Sequence, residues 1–255
     1  MTHIYTLVNQ KGGVGKTTTA INLGAYLAQL GQRVLLVDLD PQANATSCLG
    51  IDKRKVNTGM YEMLLEEAKP ADTILFNSKL KIALLPSAPA LSGAEVELVS
   101  EIGRELRLKQ SLAALKKEYD YILIDCPPSL SLLTVNGLVA AEAVIIPVQC
   151  EYLALEGLGQ LAQTISRVRS SLNTSLSIRG LVMTMFDART GLSMQVVDEV
   201  RKHFPGKVFK SIIPRSVRLA EAPSHGIPIS VFAPSSAGAQ AYHALAEELL
   251  KGDSK

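Results

Sequence analysis

The chain has 255 residues, no tryptophan, and an aromatic content of only 5%. Such scarcity argues against an aromatic-lined recognition platform and suits an aliphatic core between buried parallel strands. Cysteine is equally sparse. Cys48, Cys126 and Cys150 stand far apart without a C-x-x-C pair, so reduced core thiols are expected rather than a disulfide framework. No apolar run approaches the ~20 residues of a membrane span. The opening MTHIYTLVN lacks the basic head and long apolar stretch of a signal peptide, so a soluble, cytoplasmic protein is expected. There is also little net charge, +2 over the whole chain. That small sum is unevenly spread: residues 161–230 hold ten Lys/Arg against four Asp/Glu, a balance compatible with contact to an acidic polymer or with an ordinary solvated surface.

What is present is a regular alternation of short apolar runs with helical stretches. At 47% hydrophobic and 20% charged, the chain is long enough for a sizeable core, and 1–255 reads as a single domain. Strands are expected at HIYTLVN, RVLLVDLD, KIALLPS, YDYILIDCPP, AVIIPVQ, IRGLVMTMF and 207–213. Helices are expected at 16–30, 58–67, 91–99, 104–118, 131–141, 153–172, 190–203 and 235–251. The strand runs are almost unbroken apolar stretches, as strands buried on both faces should be. The fold class expected is therefore α/β, a doubly wound and mostly parallel sheet with helices on both faces.

The chemistry concentrates after the first strand, at NQKGGVGKTT. The common phosphate-loop pattern G-x-x-x-x-G-K-[ST] would place glycine at position 10, yet Gln10 and then Lys11 stand there. Gly12, Gly13 and Gly15, with Val14 among them, let successive N–H groups turn inward to phosphate oxygens. A helix starting near Lys16 adds its positive end. Lys16 is expected at the β- and γ-phosphates, Thr17 on Mg²⁺, and Thr18 on the α-phosphate side. ILID, ending at Asp125, reads as the strand-plus-carboxylate that holds Mg²⁺ through water. Asp38 and Asp40 close another apolar strand, two residues apart, so both carboxylates can address the same site.

KGGVGKTT, VDLDPQANAT and LIDCPP together resemble the deviant Walker A ATPases of the ParA/MinD group. PSAPALSGAEVELVS, CPPSLSLLTVNGL, VIIPVQCEYLALEGL, TMFDART and IPRSVRLAEAPSHGIPI resemble its ParA/Soj chromosome-partitioning branch. The resemblance runs over roughly residues 3 to 250. It implies an ATPase that forms a homodimer around two ATP molecules, with Mg²⁺, and binds double-stranded DNA without sequence preference. It further implies stimulation by a ParB/Spo0J-type centromere-binding partner and residence on the nucleoid. Residue by residue, it implies that Lys11 reaches the partner's ATP while Lys16 serves its own. Gly12 and Gly13 would leave room for facing loops, Asp40 would position the attacking water, and Asp38 would support metal and loop. Pro214 and Arg215 would lie by adenine. Arg189 would bind DNA; on charge alone, Arg215, Arg218, Lys202, Lys207 and Lys210 would extend it into a basic surface assembled only in the dimer, or would be ordinary solvated residues.

Three alternatives stand beside it. A MinD-like ATPase would bind membrane through QAYHALAEELLKGDSK, where Ala241, Leu245, Leu249 and Leu250 could form an apolar stripe. Glu247 and Glu248 oppose anionic lipid there, and Lys251 and Lys255 favour it. An iron–sulfur carrier on the same fold would use Cys126 and Cys150. A nucleotide-gated scaffold without useful turnover would have no need of Asp40.

Overall fold

The computed structural model describes residues 2–152 and 154–254. Seven strands form one sheet: β1 (His3–Leu7), β2 (Val34–Asp38), β3 (Leu75–Asn77), β4 (Ile82–Leu85), β5 (Tyr121–Asp125), β6 (Ala143–Gln149) and β7 (Ser177–Thr184). Their order is β3-β4-β2-β5-β1-β6-β7, all parallel except the antiparallel edge strand β3. The expected α/β class holds, and the apolar runs explain it. Along β5, Ile122 and Ile124 enter one core layer while Tyr121 and Leu123 enter the other. A strand that must satisfy both faces has no room for polar alternation.

On one face, helices Met60–Leu64, Leu91–Glu97, Arg107–Ala113, Leu132–Ala140, Ala154–Ser171 and Gly191–His203 cover the first layer. On the other, helix Lys16–Gln29 packs against the C-terminal helix Ala237–Asp253 through Leu23, Leu27, Tyr242, Leu245 and Leu249. The apolar side of the C-terminal helix is thus spent on the core. Lys255 lies outside the described residues, as does Leu153, where the helix expected over 153–172 would begin. Among the described residues no helix is long and apolar enough to cross a membrane.

Several elements differ from expectation. The strand expected at 207–213 is not one: it meets β7 through an isolated bridge of Leu181 with Val208 and through the Ile213 N–H, which donates to the Met183 carbonyl at 2.8 Å, and past β7 a second isolated bridge joins Phe186 with Pro214. Between them, the N–H groups of Lys210 and Ser211 donate to the Glu248 carboxylate at 2.8 and 3.0 Å, which removes them from any ladder. The helix expected at 104–118 is shortened to Arg107–Ala113 after a single 3-10 turn. There Asn136 intrudes, accepting from the Leu108 N–H and donating to the Arg104 carbonyl. The helix expected at 58–67 ends at Leu64, and Glu66 adopts a left-handed φ of 63°. The edge strand β3 and the short helices Asn44–Cys48, Val217–Glu221 and Ile229–Phe232 were not expected at all.

Candidate functional site: a nucleotide cleft at the carboxyl ends of the strands

β1, β2 and β5 end at one level, with Leu7 opposite Asp125 and Asp38 opposite Asp125 in the parallel register. In open parallel sheets this edge is where ligands bind. The phosphate loop leaves β1 there and is tethered on several sides. Asn9 donates to the Pro147 carbonyl at 2.8 Å and accepts from the Lys11 N–H at 3.0 Å. The Thr184 hydroxyl, from the end of β7, donates to the Val14 carbonyl at 2.8 Å, and the Val14 side chain is buried beneath the loop. Gly13 and Gly15 take φ values of 75° and 90°, which side chains with a Cβ resist. Gly15 then opens helix Lys16–Gln29, whose first N–H groups and positive dipole end face the cleft.

One cleft is lined by Gly12, Gly13, Gly15, Lys16, Thr17 and Thr18 with Asp40, Gln42, Asn44, Pro128 and Met185. Lys16 is buried, and its ammonium bends back over the loop to the Lys11 carbonyl at 3.3 Å. Burial pulls its pKa below the usual lysine value, while Asp125 and Asp40 pull the other way. Lys11 is not among the residues that line this cleft. Its ammonium stands outside, 3.5 Å from Glu151.

Next to the phosphate cleft lies a second, more apolar one. Gly15, Thr18, Thr184, Met185, Ile213, Pro214, Arg215, Ser216, Leu219, Ala220 and Tyr242 form it. Pro214 and Arg215 therefore line a cleft that adjoins the phosphate loop at Gly15 and Thr18. Arg215 points its guanidinium to Glu151 at 3.5 Å. One carboxylate thus spans the phosphate-loop lysine and the base-side arginine, with Gln149 donating to it at 2.6 Å.

The three carboxylates differ in what they touch. Asp38 is fully buried; its Oδ2 accepts from the Thr46 N–H at 2.7 Å and hydroxyl at 2.6 Å, and its Oδ1 accepts from the Asp40 N–H. Burial pushes it up to about 6 against the pull of those donors. Asp125 is fully buried too, and burial followed by the Asp38 charge raises it well above the ordinary carboxylate range. Neither Asp125 oxygen has a hydrogen-bond partner of acceptable geometry among the described residues, although the nearby Thr17 hydroxyl and Lys16 favour its ionised form. Orphaned buried oxygens call for a cation or water. Asp125 with the Thr17 hydroxyl supplies the hard oxygen donors that fit Mg²⁺, which takes one or two protein ligands and completes its shell with water and phosphate. Asp38 is placed to hold the loop rather than to offer a free oxygen. Asp40 borders the phosphate cleft directly, accepting from the Gln42 N–H at 2.9 Å through Oδ1.

The profile of a family described as an AAA domain matches residues 2–178. The sporulation initiation inhibitor protein Soj of Bacillus subtilis (strain 168) is 55% identical over 249 residues, covering 98% of each chain. The chain belongs to the Soj/ParA family of chromosome-partitioning ATPases. Among solved structures, cobyrinic acid a,c-diamide synthase from Mycobacterium smegmatis, with bound ADP and magnesium, is 40% identical with a TM-score of 0.89. The match covers 100% of this chain and 96% of that one. The septum site-determining protein MinD from Pyrococcus horikoshii OT3, complexed with Mg-ADP, is 29% identical with a TM-score of 0.82, over 100% and 99% of the two chains.

Arg189 and the other basic residues expected to form a surface in the dimer are not gathered into one patch within the single protomer. Arg189 is highly exposed, but its guanidinium pairs with Asp187 at 2.7 Å in the same loop, and this pairing holds the Asp187 carboxyl well below the usual range. Arg218 pairs with Glu221, and Lys202 with Glu199. Lys207 donates to the Ile178 carbonyl at the start of β7, the opposite end from Arg189, and Lys210 follows it there. Cys126 is a core thiol against Thr6 and Gly137, pushed up to about 12 by burial. Gln42, Asn44, Met185 and Tyr242 also line the two clefts and Glu151 pairs with Lys11 and Arg215, although none carries a motif of its own in the sequence. Only the polar run PQANAT after Asp40 carried a hint, since a loop that polar beside a phosphate loop has something to bind.

Proposed function

We propose that this protein is an ATPase that dimerises around Mg-ATP, holds duplex DNA nonspecifically as the dimer, and releases it after hydrolysis. A ParB/Spo0J-type partner would accelerate that hydrolysis, and the cycle would segregate chromosomes or plasmids on the nucleoid, in the cytoplasm. The observation that carries this reading is the division of labour between the two lysines. Lys16 is buried in its own cleft, whereas Lys11 stands outside it with its charge turned away. Gly12 has nothing within 4 Å of where a Cβ would be, so the loop's outer side is free for a second loop.

Within that scheme the chain's own groups position and neutralise. The loop N–H groups and Lys16 bind the triphosphate, and the apolar cleft around Pro214 and Met185 takes the base. Mg²⁺, held by Thr17 and Asp125, supplies charge neutralisation to the phosphate oxygens. Asp40 orients the attacking water. Lys11 leaves Glu151 and adds its cation to the partner's phosphates, so hydrolysis depends on dimerisation. Lys11→Ala retains ATP binding and loses the dimer. Asp40→Ala accumulates an ATP dimer that stays on DNA.

The test is a duplex-DNA titration with ATP, with ADP and without nucleotide, repeated at raised salt. ATP-dependent, salt-sensitive binding supports the proposal. DNA binding indifferent to nucleotide would sink it. ATP-dependent binding to anionic vesicles in place of DNA would favour the MinD-like alternative, for which the C-terminal helix would have to leave the core.

A further inference from the structure

The loop that carries Asp40, Gln42 and Asn44 into the phosphate cleft is suspended from behind. Its supports come from Ser87, two residues past the end of β4. The Ser87 hydroxyl donates to the Asp40 carbonyl at 2.7 Å, and the Ser87 N–H donates to the Thr46 hydroxyl oxygen at 2.9 Å. That hydroxyl in turn donates to Asp38 Oδ2 at 2.6 Å. Ser87, Thr46 and Asp38 are all completely buried, and none lines the phosphate cleft.

The hydroxyl and the N–H of Ser87 are thus spent on a neighbouring loop rather than on its own turn. Asp40 is held at each backbone polar atom: its carbonyl by Ser87 and by the Ala43 N–H, its own N–H by Asp38. Its Oδ1 is held by the Gln42 N–H, and the residue lines the phosphate cleft. Ala43 pays for the tight return with a left-handed φ of 51°.

We propose that Ser87 and Thr46 are positioning residues for ATP hydrolysis, fixing the Asp40 carboxylate through its main chain from the end of β4. This rests on the reading of Asp40 as the group that orients the attacking water. In-line attack tolerates little error, because a displacement of about 1 Å can cost on the order of a hundredfold in rate. Ser87→Ala keeps the amide contact to Thr46 and removes only the grip on the Asp40 carbonyl. Thr46→Val keeps shape and removes the hydroxyl shared by Asp38 and Ser87, whereas Thr46→Ser keeps the hydroxyl.

The experiment is steady-state ATP hydrolysis by Asp40→Ala, Ser87→Ala, Thr46→Val and Thr46→Ser, with ATP affinity measured alongside and folding checked by thermal midpoint. Ser87→Ala and Thr46→Val are expected to lower kcat by about tenfold while KM for ATP stays within about threefold, and Thr46→Ser to restore most of kcat. An inactive Asp40→Ala beside unchanged kcat in Ser87→Ala and Thr46→Val overturns the positioning role alone. A raised KM at unchanged kcat overturns it as well, since that is the signature of a loosened cleft. Full activity in Asp40→Ala instead removes the reading beneath it. If Thr46→Val fails to fold, Ser87→Ala decides the matter.

Discussion

Individual side chains at the cleft combine opposing demands. Lys16 is buried beside Asp40 and Asp125, so removing it strips the phosphates of their nearest cation and leaves two carboxylates facing them. Lys16→Ala is expected to weaken Mg-ATP binding by about a hundredfold or more, as isothermal calorimetry would show, because a desolvated charge-assisted contact is worth several kcal/mol, roughly. Asp38 and Asp125 carry a pH consequence. Both hold a proton more tightly folded than unfolded, Asp38 up to about 6 from 3.8. The metal-free fold therefore binds more protons than the unfolded chain in that window, and this contribution to stability is lost as pH rises through it. Urea midpoints measured in chelator are expected to fall between pH 4 and 7 more steeply than in Asp125→Asn. A slope identical in the two proteins would contradict the assignment. Much of this was legible beforehand: the phosphate loop, both lysines, Asp40 and Asp125 are local in sequence and constrained by the chemistry of phosphate. Glu151, Ser87 and Tyr242 were not, because each acts through a contact made only after distant segments meet.

At the scale of elements, the C-terminal helix shows how tertiary contacts decide what a pattern means. Its apolar stripe alone fits lipid or a core; Glu247 and Glu248 already favour the core with no membrane partner, and its far end fixes that placement. There Arg179 donates to Asp253 at 2.7 Å and to the Leu249 carbonyl at 3.0 Å, and Tyr121 donates to the same carboxylate at 3.0 Å. A Cβ at Gly252 would meet the Arg179 guanidinium, which would have to leave its place on Asp253 and the Leu249 carbonyl to admit it. Asp253→Ala leaves a half-buried guanidinium unpaired and is expected to cost about 3 kcal/mol, read as a shifted denaturant midpoint. Gly252→Ala is expected to destabilise as well, although alanine is ordinarily the better helix former. Strands buried on both faces announced themselves as apolar runs. The segment at 207–213, KVFKSII, is apolar at four of its seven positions, yet the Glu248 carboxylate captured the N–H groups of Lys210 and Ser211, and no local pattern records that. β3, three residues long with Phe76 exposed, offers too little periodicity to read.

For the whole molecule the question is how scattered cations could serve DNA. Arg189, Arg215 and Arg218 each have a carboxylate partner within their own protomer. On the proposed reading, DNA phosphates would compete with Asp187, Glu151 and Glu221, which would make the contact weak and salt-sensitive. Arg189→Glu is expected to dimerise with ATP and fail on DNA. Asp187→Asn, which frees the arginine, is expected to tighten ATP-dependent DNA binding and steepen its salt dependence, as fluorescence anisotropy at several salt concentrations would report. The strand order has a consequence for how such a chain comes into being. β1 lies between β5 and β6, and the Val14 carbonyl is gripped by Thr184, 170 residues later. At a synthesis rate of about 5–20 residues per second, roughly 10–30 seconds separate the translation of the loop from that of its last tether. The first motif to leave the ribosome thus waits for a tether encoded much later in the chain before its loop is held on every side.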